Sequence, residues 1–252
     1  MHNPTLRVVQ ILNLFSTNPT PLSFSDIARL TNIPKGTLSP ILSELLTQRY
    51  LRLKSGGLYV LGSAAFGLGA AFVGQMGGFE IIKAHMREIV SACGETCQFG
   101  VLEGGEVLYL HKVESQNPIK LHSYAGKMLP AYCTAIGKAL LRDKDLAALR
   151  ALYPQGLEAF TDNTLRDVES LQSELESIRA RGVAYEMGEH TPEVACAAVA
   201  LSNGREVVAA LSVSLPAFRA DSKKMQAISA LLLTQGREIE RAFGESLSRD
   251  LF

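Results

Sequence analysis

Residues 22–62 read LSFSDIARLTNIPKGTLSPILSELLTQRYLRLKSGGLYVLG, and this stretch decides the fold of the N-terminal part of the chain. Ser23 precedes a short amphipathic run with Asp26 three residues on, the signature of a capped helix start. Ile27, Ala28 and Leu30 supply that helix with an apolar face. Thr31-Asn32-Ile33-Pro34 makes a tight turn, with Ile33 placed to plug the core between two helices. A second helix is predicted from Lys35 to Gln48, with Leu38, Ile41, Leu42, Leu45 and Leu46 as its stripe. Tyr50–Lys54 and Leu58–Leu61 alternate around Ser55-Gly56-Gly57, a strand pair with a turn. Two helices across a tight turn followed by a β-hairpin form a winged helix-turn-helix, whose second helix enters the DNA major groove.

Upstream, Leu6, Val9, Ile11, Leu12, Leu14 and Phe15 recur at helical spacing until Asn18-Pro19, which predicts a supporting helix. The helix from Lys35 shows Lys35, Thr37, Ser39 and Ser43 opposite its apolar stripe. Short hydroxyls and a cation there suit base edges and phosphates. Ser23 and Ser25 at the preceding helix start join this candidate DNA-binding set. Arg52 and Lys54 on the wing are placed to reach phosphates, contacts that hold a protein on DNA without reading sequence. Pro40 allows two readings. The regular helix starts late, with Ser39 as cap and Pro40 at the first helical position, or the proline bends the helix.

The 252 residues carry 25 basic and 25 acidic side chains. The balance hides an asymmetry: residues 1–61 hold six basic side chains against Asp26 and Glu44, a net +4, which leaves −4 on the rest. A basic head on an acidic body suits a nucleic-acid partner for the head alone. No apolar run is long enough to span a bilayer, and the N-terminus carries no secretory signal pattern, so the expectation is a cytoplasmic protein with no membrane partner. Cys93, Cys97, Cys133 and Cys196 are then expected as reduced thiols.

Phe66, Leu68, Phe72, Phe79, Ile81, Ile82, Met86 and Ile89 suggest two helices meeting near Gly77-Gly78. The first of them is the expected interdomain linker, serving as dimer packing or a flexible joint. Further on, Cys97–Glu103 and Glu106–Val113 flank Gly104-Gly105, and Val194–Leu201 and Glu206–Ser214 flank Asn203-Gly204, which predicts two hairpins. Ile119–Tyr124 reads as another strand, and helices are expected at Thr134–Arg142, Leu146–Tyr153, Asp167–Arg181 and Asp221–Arg249. Hairpin-joined strands with helices between groups indicate an α+β fold. A cupped sheet face is a natural place for a small molecule.

No nucleophile elbow, phosphate loop or zinc-protease motif occurs, and the histidines are scattered, so neither a catalytic residue nor a metal site nor a cofactor is expected. The alternatives kept open are a thiol-dependent enzyme using Cys133 or Cys196, and a winged helix turned to protein–protein contact.

Three segments together resemble the IclR-type bacterial transcriptional regulators: the winged helix with its Pro34-Lys35-Gly36-Thr37 turn, the run Leu129-Pro130-Ala131-Tyr132-Cys133-Thr134-Ala135-Ile136-Gly137-Lys138-Ala139-Leu140-Leu141, and Arg181–Tyr185 followed by Val194–Ala198. The resemblance covers almost the whole length. It implies a DNA-binding domain at residues 1–61, a linker helix at 62–77, and a GAF-like effector-binding and oligomerisation domain with an antiparallel-rich sheet at 78–252. It also implies dimers, often tetramers, that bind a pseudo-palindromic double-stranded operator, repress or activate transcription, and answer to small metabolites such as carboxylic acids or aromatic compounds. The sequence departs from the family where Pro40 replaces a frequent arginine. The acidic patch after Tyr185 is reduced to Glu186-Met187-Gly188-Glu189, and Ala200 stands near a usual proline.

For the effector site the candidates are Tyr124, Thr134, Ala135, Ile136, Glu186, Val194, Cys196, Ser212 and Ser214. Ala135 and Ile136 begin a helix, whose N-terminus favours an anion. Ser212 and Ser214 share one strand face, as pocket donors or solvent-facing residues. Cys196 is either a pocket thiol or a small buried apolar residue. Tyr124 and Tyr132 serve as an aromatic wall, or as core or interface.

Overall fold

The computed structural model describes residues 3–18, 20–117 and 123–243. The chain folds as two compact units, Met1–Met76 and Gly77–Phe252.

The first unit opens with α1 (Pro4–Thr17), capped by the Asn3 side chain. Helix α2 (Phe24–Thr31) begins with the predicted capping box: Ser23 Oγ accepts from Asp26 N, and the Asp26 carboxylate accepts from Ser23 N. These hydrogen bonds hold the Asp26 carboxyl below its usual range, the Ser23 hydroxyl contributing most. Asn32, in the left-handed region, ends α2, and α3 (Lys35–Thr47) follows. Ile11, Phe15, Ile27, Ile33, Leu38, Leu42, Leu45 and Leu51 form the core. The wing pairs β1 (Leu51–Lys54) with β2 (Leu58–Leu61), and Tyr59 also bridges to Leu22.

Three expectations change here. Helix α3 starts at Lys35, so Ser39 is no cap and Pro40 lies inside the helix. Leu6, Val9 and Leu30 are exposed rather than core, because three short helices and a hairpin cannot enclose every apolar side chain they carry. Tyr50 precedes the strand rather than opening it. Helix α4 (Ser63–Gln75) completes this unit; it has no buried residue and no charged one.

In the second unit, α5 (Phe79–Cys93) leads into a six-stranded sheet. Its strands are β3 (Thr96–Glu103), β4 (Glu106–Val113), β5 (Met128–Pro130), β6 (Ala184–Met187), β7 (Val194–Ser202) and β8 (Val207–Pro216). They pair antiparallel in the order β5-β4-β3-β8-β7-β6. Helix α5 and the long α9 (Ser222–Phe243) pack on one face of the sheet, and α6 (Ala135–Leu141) packs on the other. Beside α6 lie α7 (Leu146–Leu152) and α8 (Val168–Arg181). Strand alternation sorts the side chains: Phe99, Leu211, Val213 and Leu215 are buried at odd positions, while Gln98, Ser212 and Ser214 fall on the opposite face. Of the predicted strand Ile119–Tyr124, residues 119–122 lie outside the described residues, and Ser123 and Tyr124 belong to no strand. The strand that adds to β4 is β5 instead. The last predicted helix is described as far as Phe243; residues 244–252 lie outside the described part. Among the described residues, no single helix is long and apolar enough to cross a membrane.

Candidate effector cavity and DNA-facing surface

Between the start of α6 and the cupped sheet face lies a cavity of about 630 Å³. Eight of the nine candidate residues line it: Thr134, Ala135, Ile136, Glu186, Val194, Cys196, Ser212 and Ser214. Tyr124 does not. It sits at a turn closed by Lys127 N donating to its carbonyl, and its side chain is exposed. Tyr132 is core: its hydroxyl donates to the Glu158 carbonyl and its ring meets Tyr153 edge-on.

The floor of the cavity is a chain of hydrogen bonds centred on a residue that sequence reasoning missed. Gln98 on β3 pairs in register with Ser212 on β8. Its Oε1 accepts from Ser212 Oγ at 3.1 Å and from Ser214 Oγ at 2.9 Å. Its Nε2 donates to Ser123 Oγ. Cys196 Sγ donates to Ser214 Oγ at 3.1 Å from the neighbouring strand. Glu186, in register with Cys196, accepts from Glu189 N at 2.6 Å through Oε1. Gln98, Glu186, Ser212 and Ser214 are all buried.

Burial governs the protonation of this floor. It pushes the Glu186 carboxyl up, against hydrogen bonds from Cys196 and Glu189 N that favour the charged form. The Cys196 thiol is raised well above 9 by burial and then by the nearby Glu186 charge. Cys133 is pushed to about 12 by burial, followed by repulsion from Glu189 and Glu186. Burial likewise raises the Tyr109 hydroxyl.

The walls add residues with little sequence signal. Lys127 and His190 line one side; burial lowers both, and each is further lowered by a nearby cation, Lys112 for Lys127 and Lys127 for His190. His190, Thr191, Pro192 and Glu193 come from the β6–β7 loop, and Pro216, Ala217 and Phe218 from the end of β8. The β6–β7 loop is tied down at its root. Thr161 Oγ1 donates to the Gly188 carbonyl at 2.7 Å, and Thr164 Oγ1 to the Glu189 carbonyl at 2.6 Å. Lys138 Nζ, buried on α6, meets Glu189 Oε1 at 2.5 Å. On the same helix, a Cβ at Gly137 would lie 2.2 Å from the Ala131 carbonyl oxygen, so only glycine lets α6 start so close to the preceding turn. Thr134 caps α6 by accepting from Gly137 N at 3.1 Å. Among the described residues, no group of three His, Cys, Asp or Glu side chains is placed to hold a metal ion.

In the first unit, Ser25, Lys35, Ser39, Ser43, Arg52 and Lys54 are exposed, and Thr37 is half-buried. Ser23 is engaged in its capping box, where its hydroxyl also donates to the Asp26 carboxylate at 2.6 Å. Arg49, exposed just after α3 and in the left-handed region (φ 61°), is a further cation on this unit.

A winged helix-turn-helix joined to a sheet domain with a polar-floored cavity defines a two-part regulator, one part for DNA and one for a small molecule. The comparisons with known proteins agree. The IclR helix-turn-helix domain model matches residues 5–55, and the bacterial transcriptional regulator IclR C-terminal model matches residues 70–241. The chain therefore belongs to the IclR family of bacterial transcriptional regulators, with a DNA-binding helix-turn-helix and a C-terminal effector-binding domain. It is 33% identical to the HTH-type transcriptional regulator XynR of Escherichia coli (strain K12), over 94% of this chain and 96% of that protein. The crystal structure of the Thermotoga maritima IclR aligns with a TM-score of 0.78 at 28% identity, covering 96% of this chain and 100% of the other. An IclR homologue from Microbacterium hydrocarbonoxydans, complexed with 4-hydroxybenzoate, shares the fold with a TM-score of 0.81 at 22% identity, covering 95% and 98%.

Proposed function

We propose that a small carboxylate or aromatic metabolite binds the cavity at Thr134, Ala135, Ile136, Glu186, Val194, Cys196, Ser212 and Ser214, and that its binding controls operator recognition. Gln98 joins that set as the hub of the floor. The observation that carries this reading is the floor itself. Four buried polar side chains on one cavity surface are costly unless their polar groups are satisfied, and a polar ligand adds partners on the open side. Lys127 and His190 on the wall suit an acidic group, and the fold relative complexed with 4-hydroxybenzoate supports an acidic or aromatic occupant.

Residues 1–61 are the proposed DNA reader, 62–77 the linker and 78–252 the effector-binding and oligomerisation part. Ser25, Lys35, Thr37, Ser39, Ser43, Arg52 and Lys54 face the operator, with Ser23 fixing the start of α2. A symmetric dimer places two recognition helices on a pseudo-palindromic site. Helix α4 supports self-association. It is a lone apolar helix with Phe66, Leu68, Phe72 and Val73 exposed, and such a helix needs a partner to be stable. An effector that prefers one arrangement of the dimer shifts the population toward or away from DNA-competent forms.

The protein works in the cytoplasm and is no enzyme. Cys97, Cys133 and Cys196 are buried and all four thiols are raised, the opposite of what a thiol nucleophile requires.

A thermal-shift screen of carboxylates and aromatic acids, followed by gel retardation with the promoter beside the protein's own gene, tests this. An effector raises the melting temperature by mass action and changes retardation. If the Ser214→Ala and Gln98→Ala proteins bind that compound as the parent does, the cavity is not its site.

A further inference from the structure

We infer that this chain reads thymine-rich DNA, with the Pro40 ring seated against thymine methyl groups. The inference rests on the reading of α3 as the helix that enters the major groove.

At 100° per residue, Gly36, Ser39, Pro40, Ser43 and Thr47 fall along one side of α3, opposite the buried Leu38, Leu42 and Leu45. All five are exposed. The stripe holds no Arg, Lys, Asn, Gln, Asp or Glu. Guanine is read by a bidentate Arg or Lys, and adenine by a bidentate Asn or Gln. No side chain on this stripe can do either. The long polar side chains nearby lie off the stripe: Gln48 donates to the Glu44 carboxylate at 2.7 Å, and Lys35, the first residue of the helix, projects to one side of it.

What the stripe offers is small size and one apolar ring. Gly36 is not demanded by the fold, since a Cβ there meets nothing within 4 Å. Pro40 is the costliest residue for a helix interior, because it removes the N–H that would bond the Gly36 carbonyl. Its ring takes no part in the core. Glycine and two serines let the helix backbone approach the groove floor closely. At that depth an exposed pyrrolidine ring has one complementary feature among the base edges, the thymine C5-methyl group. Ser39 and Ser43 add hydroxyls that accept or donate without choosing a base strongly. Affinity then comes from Lys35, Arg52 and Lys54 on phosphates, and sequence preference from methyl contact.

The test is selection of random duplex DNA by the full-length protein, followed by affinity measurements on the selected duplex with each thymine replaced by uracil. Selected half-sites should carry thymines and no invariant guanine at the positions facing α3. Removing the methyl that faces Pro40 should weaken binding about fourfold per half-site, the worth of one buried methyl group. Pro40→Ser, which restores the helix N–H and removes the apolar ring, should bind the thymine duplex about fourfold more weakly per half-site and lose the uracil sensitivity. Half-sites anchored on an invariant guanine opposite α3, or equal affinity for thymine and uracil duplexes, would overturn the inference. Failure to select any duplex would overturn the groove-binding reading beneath it, and the inference with it.

Discussion

Replacing Gln98 with leucine isolates the energetics of the cavity floor. The Gln98 side chain is buried, and its Oε1 is the acceptor for both Ser212 and Ser214. Leucine keeps the approximate volume and removes the acceptor, so two hydroxyl donors lose their acceptor at once. Orphaning a buried polar group costs about 1–3 kcal/mol. Both serines border a cavity large enough for water, which places each near the low end, roughly 1 kcal/mol. The missing bond to Ser123 adds a little, for a total of about 2–3 kcal/mol. In a unit the size of Gly77–Phe252 that is a fall in melting temperature of roughly 4–12 °C. The informative comparison is the triple variant Gln98→Leu, Ser212→Ala, Ser214→Ala. Removing donors and acceptor together leaves nothing unsatisfied between them, so it should recover most of the loss, with Cys196 keeping Glu186 as its partner. Urea unfolding of the parent, the single variant and the triple variant gives the three stabilities. If the triple variant is less stable than Gln98→Leu by the sum of two further serine losses, the hydroxyls are not held by Gln98 and the network reasoning is wrong.

Gly62→Ala should cost the first unit about 1–3 kcal/mol by overpacking, since its Cβ would lie 2.2 Å from the Arg49 carbonyl oxygen; retardation of the selected duplex should fall while unfolding of the second unit is unchanged. Arg52→Ala with Lys54→Ala should lower the slope of log affinity against log salt by about 2, near 0.9 for each phosphate that is no longer neutralised, and an unchanged slope removes the wing from the interface. Glu186→Gln changes a pH profile. The carboxyl is raised on folding, so its contribution is fully present below its ordinary value of 4.5 and is lost as pH rises through the folded value. The glutamine variant lacks that loss, so its stability relative to the parent should increase as pH is raised from 4.5, and parallel urea midpoints across the range would refute the assignment.

The elements with the strongest local signals were the legible ones. The capping box at Ser23 and Asp26, the tight turn at Thr31–Pro34 and the glycine turn of the wing each declare themselves within a few residues. So did the strand pairs around Gly104-Gly105 and Asn203-Gly204. Pro40 was not decidable, because a proline is tolerated at a helix start and inside a kinked helix alike, and only the neighbouring backbone separates the two. Gln98 was out of reach for a different reason. Its meaning depends on the β3–β8 register, which brings together residues 114 and 116 positions apart. Alternation shows that Ser212 and Ser214 share a face, but not which strand stands opposite. Lys127 and the β6–β7 loop carry no such signal, because turns and loops have no periodicity to read. Tyr124 lies at a turn that its apolar neighbours make look like the end of a strand.

The same distinction between local and non-local bonding bears on where the chain can articulate. The sequence reading places the joint anywhere within residues 62–78. The structure divides that interval. Arg49, left-handed at the end of the recognition helix, turns its carbonyl onto the start of α4, where it accepts from Ala64 N at 3.0 Å. Gly62 N donates to the Tyr50 carbonyl at 2.8 Å, and only glycine fits against Arg49 there. The start of α4 is thus bonded to the turn that links α3 to the wing, and α4 belongs to the same compact unit as the reading helix. The backbone leaves α4 at Met76, the last residue of that unit, and Gly78 is left-handed at the start of α5. In the proposed dimer, packing through α4 would set the spacing of the two reading helices through these same bonds.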